Sequence, residues 1–103
     1  MSEKQQLKQD ILDAVETDPV FREIRKVSLF GSYAYGIPTS ESDVDLLVEF
    51  VPGNSVGLFK FFDMKHAFED RLHKKVDLVT PDALSKYFRD EVIKKSETIY
   101  DRA

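Results

Sequence analysis

The feature that most constrains this chain is the run Asp43-Val44-Asp45-Leu46-Leu47-Val48-Glu49-Phe50, whose second half demands burial while its first half carries two carboxylates. A run this short, rich in branched and aromatic residues, reads as a strand. Side chains alternate along a strand, so Asp43 and Asp45 project from one face and Val44 from the other. Aspartate is depleted in strands, and two negative charges side by side are unfavourable unless a cation or hydrogen-bond donors offset them. A hard divalent metal would provide that offset. The fold must therefore bury Leu46, Leu47 and Val48 while leaving this end of the strand open to a counter-charge.

The segments around this strand alternate in periodicity. Leu7, Ile11, Leu12 and Val15 recur at three- and four-residue steps, which predicts an amphipathic helix over Glu3 to Glu16. Thr17-Asp18-Pro19 breaks it, and a short helical turn through Val20, Phe21 and Ile24 is expected before a strand at Lys26 to Phe30 that Gly31 stops. Beyond the central strand, Pro52-Gly53-Asn54 marks a turn. A helix follows from about Ser55, read as its cap, to His73, with Leu58, Phe61, Phe62, Phe68 and Leu72 on its buried side. A third strand is read at Val76 to Val79, then helical stretches at Leu84 to Phe88 and Glu91 to Ser96, and an edge strand at Thr98 to Tyr100. This order predicts an α/β or α+β fold with helices packed on a small sheet. Periodicity does not decide between parallel and mixed strands.

At 103 residues and 42% hydrophobic content, the chain supports one core, and the whole of 1–103 is read as a single domain. It has no cysteine, which excludes a disulfide framework and a thiolate zinc site. With no targeting segment and no apolar run approaching a membrane span, a soluble cytoplasmic protein is expected. Fifteen basic against nineteen acidic residues give a net charge of −4, which disfavours long duplex nucleic acid. A free nucleotide is less affected, because a few amides, cations and a bound metal neutralise it locally.

Asp77 lies between Val76, Leu78 and Val79, a strand that the apolar pattern places inside, where an unpaired carboxylate is costly. If that strand lies beside the central one, Asp77 joins Asp43 and Asp45 in a three-carboxylate oxygen site suited to magnesium or manganese. Gly31-Ser32 follows a strand directly, and Gly36 closes the turn. Small residues there present amides and a hydroxyl to phosphate oxygens, aided by a helix N-terminus. Taken singly, each of these residues is more often an ordinary turn or a solvated carboxylate. Their combination is what carries the functional reading. His66 and His73 stand seven residues apart with no cysteine nearby, so they are read as surface residues and not as zinc ligands. Lys60, Lys65, Arg71, Lys74 and Lys75 give the third helix a basic end, read as a solvated face.

Gly31-Ser32, ten intervening residues, Asp43-Val44-Asp45 and a later strand aspartate together resemble the signature of the DNA polymerase β-like nucleotidyltransferase superfamily. The likeness runs from about Val27 to Val79, and the chain's length is similar to that of the minimal nucleotidyltransferases. The resemblance implies a small mixed β-sheet flanked by helices, with Gly31 and Ser32 binding the triphosphate. It also implies that Asp43, Asp45 and Asp77 hold two magnesium ions, with manganese as the substitute. One position departs from the pattern: many minimal relatives carry arginine where this chain has Tyr35. A hydroxyl and an aromatic ring then stand where a cation would.

The resemblance further implies transfer of AMP from ATP to an acceptor hydroxyl. The acceptor is expected to be a tyrosine of a helical HEPN-type toxin, which makes the chain an antitoxin. Two alternatives stay open: an antitoxin that acts by contact alone, and a nucleotidyltransferase subunit that modifies a small molecule such as an antibiotic. A homo-oligomer is compatible with the sequence. Residues 87–103 suit either packing on the core or reaching a partner, through Val92, Ile93, Ile99 and Tyr100.

Overall fold

The first helix, α1 (Glu3–Thr17), starts at a reciprocal cap: the Gln5 amide donates to Ser2 Oγ at 3.1 Å and the Ser2 amide donates to Gln5 Oε1 at 2.9 Å. The computed structural model describes residues 2–102. Leu7, Ile11, Ala14 and Val15 form the buried face of α1. The helix ends where Asp18 turns extended and its carboxylate accepts from the Val20 amide at 3.0 Å, just before the helix-breaking Pro19 is passed.

A single 3-10 turn, Phe21–Glu23, leads into β1 (Ile24–Phe30), two residues earlier than the periodicity predicts. Ile24 is fully buried and already pairs with Phe50, but a register shift between Ile24 and Lys26 interrupts the alternation that marks a strand in sequence. A one-turn helix, α2 (Ser32–Tyr35), and a bend connect β1 to β2 (Val44–Phe50), which runs antiparallel to it. The second long helix, α3 (Leu58–Leu72), crosses over to β3 (Val76–Val79), parallel to β2. Then come α4 (Arg89–Lys95) and β4 (Glu97–Asp101), antiparallel to β1. The sheet order is β3-β2-β1-β4, so the sheet is mixed and the edge strand expected near Thr98–Tyr100 is indeed at an edge.

Three expectations are corrected. Ser55 does not cap α3: Gly57 occupies that position, and Ser55 instead donates its amide and hydroxyl to Glu23 Oε1 at 2.7 and 2.9 Å. The buried side of α3 is Met64, Phe68 and Leu72, with Phe61 half-buried, whereas Leu58 and Phe62 face solvent. The helical stretch read at Leu84 to Phe88 is a 3-10 turn at Pro81–Ala83 followed by a further turn. Arg89 holds this region non-helical by donating to the carbonyls of Pro81 at 2.8 Å and Leu84 at 3.1 Å.

The two sheet faces differ in character. Val27, Leu29, Val44, Leu46, Val48, Val76 and Leu78 point into one core with α1 and α3. Each such side chain contributes roughly 1.5–3 kcal/mol by leaving water. On the opposite face, Ser28 and Leu47 are register partners and both are buried. There α4 packs on β1, and the Pro81–Ala83 turn packs on β2. Helix α4 is therefore laid over the second face, with Tyr87 and Phe88 left exposed before it, and Asp45 and Asp77 alternate onto that same side.

Candidate active site

The acidic end of β2 is tied to the neighbouring strand by the Val44 amide, which donates to the Lys75 carbonyl at 2.9 Å. This link sets the parallel register in which Asp45 stands opposite Asp77. Parallel partners share a face, so the two carboxylates are neighbours. Asp43 precedes β2 by one residue, so the strand starts later than expected and Asp43 lies in the solvent-exposed bend.

Asp77 corrects the expectation that it is buried. Within β3 the burial alternates, with Val76 and Leu78 inside and Asp77 exposed, because only one face of this short edge strand is covered by α3. The buried carboxylate of the cluster is Asp45, which is half-buried. Its carboxyl is pushed up to about 6, first by burial and then by the negative charges of Asp77 and Asp43. Carboxylates that repel one another in this way gain from a bound cation. Among the described residues, no three His, Cys, Asp or Glu side chains are already drawn together as a metal cage.

Phe30 is the partner of Asp45 on β1, so Gly31, the next residue, lies directly beside the Asp45 side chain. Gly31 has φ 73°, a conformation that favours glycine. A Cβ there would run into the Asp45 carboxylate, with Cγ at 2.9 Å. The sequence reading assigned Gly31 to phosphate, and the structure adds that it makes room for the acid. The Gly31 carbonyl accepts from the amides of Ala34 at 3.0 Å and Tyr35 at 3.1 Å, which closes α2. The amides of Ser32 and Tyr33 begin the helix and have no preceding turn to donate to. Gly36 is required by close approach, since a Cβ there would meet Ser32 Cα at 2.9 Å. Because α2 has four residues, the dipole contribution expected at its N-terminus is that of one turn only.

The remaining bend is pinned by Ser42, whose hydroxyl accepts from the Thr39 amide at 2.9 Å while its own amide donates to the Thr39 carbonyl at 3.1 Å. From the other side, Lys4 of α1 donates to the Ala34 carbonyl at 2.8 Å and pairs with Glu97 of β4 at 2.8 Å. The two loop tyrosines part company. Tyr33 packs against the α1/α3 core, with Lys74 Nζ 5.7 Å from its ring centroid. Tyr35 is 52% exposed and carries Lys95 Nζ 5.9 Å from its ring.

The structure thus brings together Gly31, Ser32, Asp45 and Asp77, with Asp43 at the margin. Sequence reading missed the approach of α4, whose last residue, Lys95, lies over the Tyr35 ring at the end of α2, and no local signal in residues 89–95 reports it. The basic residues of α3 lie elsewhere: Arg71 pairs with Asp13 of α1 at 3.7 Å. His73 takes the left-handed position, φ 54°, that ends α3. A groove of about 690 Å³ opens between α1, residues Tyr33 to Ser40 and Lys74. It lies on the α1 side of the turn and is lined by none of the three aspartates.

A four-stranded mixed sheet with flanking helices is a fold that this chain shares with two solved structures. One is a toxin–antitoxin assembly crystallised with AMP-PNP, matched at a TM-score of 0.73 and 20% identity over 91% of this chain and 73% of that one. The other is a complex of a tri-AMPylated Shewanella oneidensis HEPN toxin with an MNT antitoxin, matched at a TM-score of 0.68 and 18% identity over 95% of this chain and 72% of that one. The chain belongs to the polymerase beta nucleotidyltransferase family, whose match extends over residues 9–103. It is also similar to the protein adenylyltransferase MntA of Thermococcus cleftensis, at 35% identity over 77 residues, 75% of this chain and 74% of that protein. Among the described residues, no helix is long and apolar enough to cross a membrane.

Proposed function

We propose that the chain transfers AMP from ATP to a hydroxyl of a protein partner, a tyrosine of a HEPN-type toxin, and so acts as an antitoxin. The observation that carries this reading is the contact of the Asp45 carboxyl with the Gly31 backbone, beside Asp77 in register. It sets a phosphate-sized turn against an acidic cluster that lacks a counter-charge. The amides at Ser32 and Tyr33 and the Ser32 hydroxyl bind the triphosphate. Asp43, Asp45 and Asp77 would hold magnesium, two ions with manganese as the substitute, which would supply positive charge beside the pyrophosphate and acidify the acceptor hydroxyl.

In the transfer itself, the acceptor oxygen bonds to the α-phosphorus, the bond from that phosphorus to the β-phosphate bridging oxygen breaks, and pyrophosphate leaves. The acceptor's proton passes to Asp77, the solvent-facing member of the pair, and from there to water. The similarity to an adenylyltransferase and to assemblies containing a HEPN toxin supports this choice of donor and acceptor.

The test is intact-mass spectrometry of a HEPN-type partner after incubation with the chain and magnesium-ATP. Addition of AMP by the wild-type chain, and none by Asp77→Asn, is expected. An unchanged partner mass with the wild-type chain refutes the reading. A second reading, inhibition by contact alone, is favoured by the exposed apolar residues Leu58, Phe59 and Phe62 at the start of α3. Under it, toxin inhibition survives in the Asp43→Asn, Asp45→Asn double variant.

A further inference from the structure

Between Gly31 and Ser42 the chain contains no lysine or arginine, and the neighbouring strands contribute only aspartates to the site. A triphosphate bound there meets net negative charge even after a metal has taken part of it, so a cation from elsewhere in the fold is required. Two nearby cations are committed in other directions. Lys4 Nζ is held by the Ala34 carbonyl and Glu97 on the α1 side. Lys74 lies over Tyr33, which packs toward that same side.

We propose that Lys95 supplies the phosphate-binding cation of the Gly31-Ser32 turn, using the exposed ring of Tyr35 as the surface along which it is aimed. This rests on the nucleotide-binding reading above and adds a residue to it. Three observations carry the assignment. First, Lys95 ends α4, which packs on β1 on the sheet face that carries Asp45 and Asp77. Second, its position is fixed by the backbone: Glu97, two residues on, pairs with Leu29, two residues before Gly31. Third, its ammonium stands 5.9 Å from the Tyr35 ring centroid, and Tyr35 is separated from Ser32 by one helical turn.

The ammonium is released easily. It pairs with Glu91 at 2.9 Å, but both side chains are more than half exposed, and such an exposed (i, i+4) pair is weak. A phosphate oxygen is a stronger partner than that carboxylate, because a triphosphate offers higher charge. Glu91 thus holds Lys95 in the ligand-free chain and gives it up on binding.

The experiment is calorimetric titration of magnesium-ATP, and separately of AMP, into the wild-type chain, Lys95→Ala, Lys95→Ala with Tyr35→Arg, and Lys86→Ala as the matched surface control. Lys86 also lies over a tyrosine, Tyr87, but away from the site. The expected result for Lys95→Ala is a loss of about tenfold in ATP affinity, the low end for a hydrogen bond between charged groups, with AMP binding and melting temperature unchanged. Tyr35→Arg restores ATP affinity in the Lys95→Ala background, and Lys86→Ala matches wild type. Equal ATP affinity in wild type and Lys95→Ala overturns the assignment while leaving the nucleotide site intact. Failure of Tyr35→Arg to rescue also overturns it, since the loss is then not one of charge at the turn. No ATP binding by the wild-type chain overturns both this assignment and the reading on which it rests.

Discussion

Replacing Asp45 by asparagine should make the metal-free protein more stable while destroying its site. The Asp45 carboxyl has its pKa raised from the ordinary 3.8 to about 6 by burial and by the charges of Asp77 and Asp43. A carboxyl with a raised folded-state value holds its proton more tightly when folded than when unfolded. Stability is therefore lost as pH rises from the unfolded value towards the folded one, and the full cost is present above it. Taken at face value the difference corresponds to about 3 kcal/mol. The group is only half-buried, so solvent screening reduces this to about 1 kcal/mol. For a chain of this size that raises the melting temperature of Asp45→Asn by about 4–8 °C. The assay is thermal unfolding followed by circular dichroism in the presence of a chelator, for both proteins, at about pH 8 and about pH 4. The gap should be full at the higher pH and less than half as large at the lower. Magnesium should narrow the gap by stabilising the wild type alone. A variant no more stable than wild type at the higher pH, or a gap that does not shrink with acid, refutes the argument from charge repulsion.

Gly31→Ala should cost at least about 1–2 kcal/mol, because a side chain is placed at positive φ and against the Asp45 carboxyl; urea unfolding measures it, and an unchanged midpoint contradicts the described contact. Phe68→Ala should remove about 3–5 kcal/mol from the core shared by α1, α3 and the sheet, enough to leave much of the chain unfolded at 37 °C by circular dichroism. Glu97→Ala releases both Lys4 and Lys8, which it binds at 2.8 and 3.2 Å; the direct loss is about 1 kcal/mol or less, and amide exchange should quicken in residues 32–36, which Lys4 anchors.

Most of the framework was legible in the sequence because each long element has a strong period. The Leu7, Ile11 and Val15 spacing and the Leu46 to Val48 run admit few alternatives. Asp45 was legible for a different reason: as Asp43-Val44-Asp45, it reads as an acidic start to an apolar strand, and such a contradiction points to a counter-charge, although Asp43 itself proves to precede the strand. What could not be read was set by tertiary contacts. The exposure of Asp77 depends on α3 covering only one face of β3. The failure of Ser55 as a cap depends on Glu23, thirty-two residues away. The closeness of Asp45 to Gly31 depends on a register between strands that no local pattern encodes, and the arrival of Lys95 beside Tyr35 depends on where α4 is laid down.

Lys4 and Glu97 lie ninety-three positions apart, yet together they brace the carbonyl of Ala34 inside the turn that begins with Gly31. During synthesis, Gly31 and its turn are made well before residue 97 exists. Until then β1 presents an unpaired edge where β4 will later hydrogen-bond, and Lys4 lacks its partner. Contacts of such large sequence separation form late and slowly. The geometry at Gly31 and Ser32 should therefore become fixed only at the end of folding, once β4 has paired with β1.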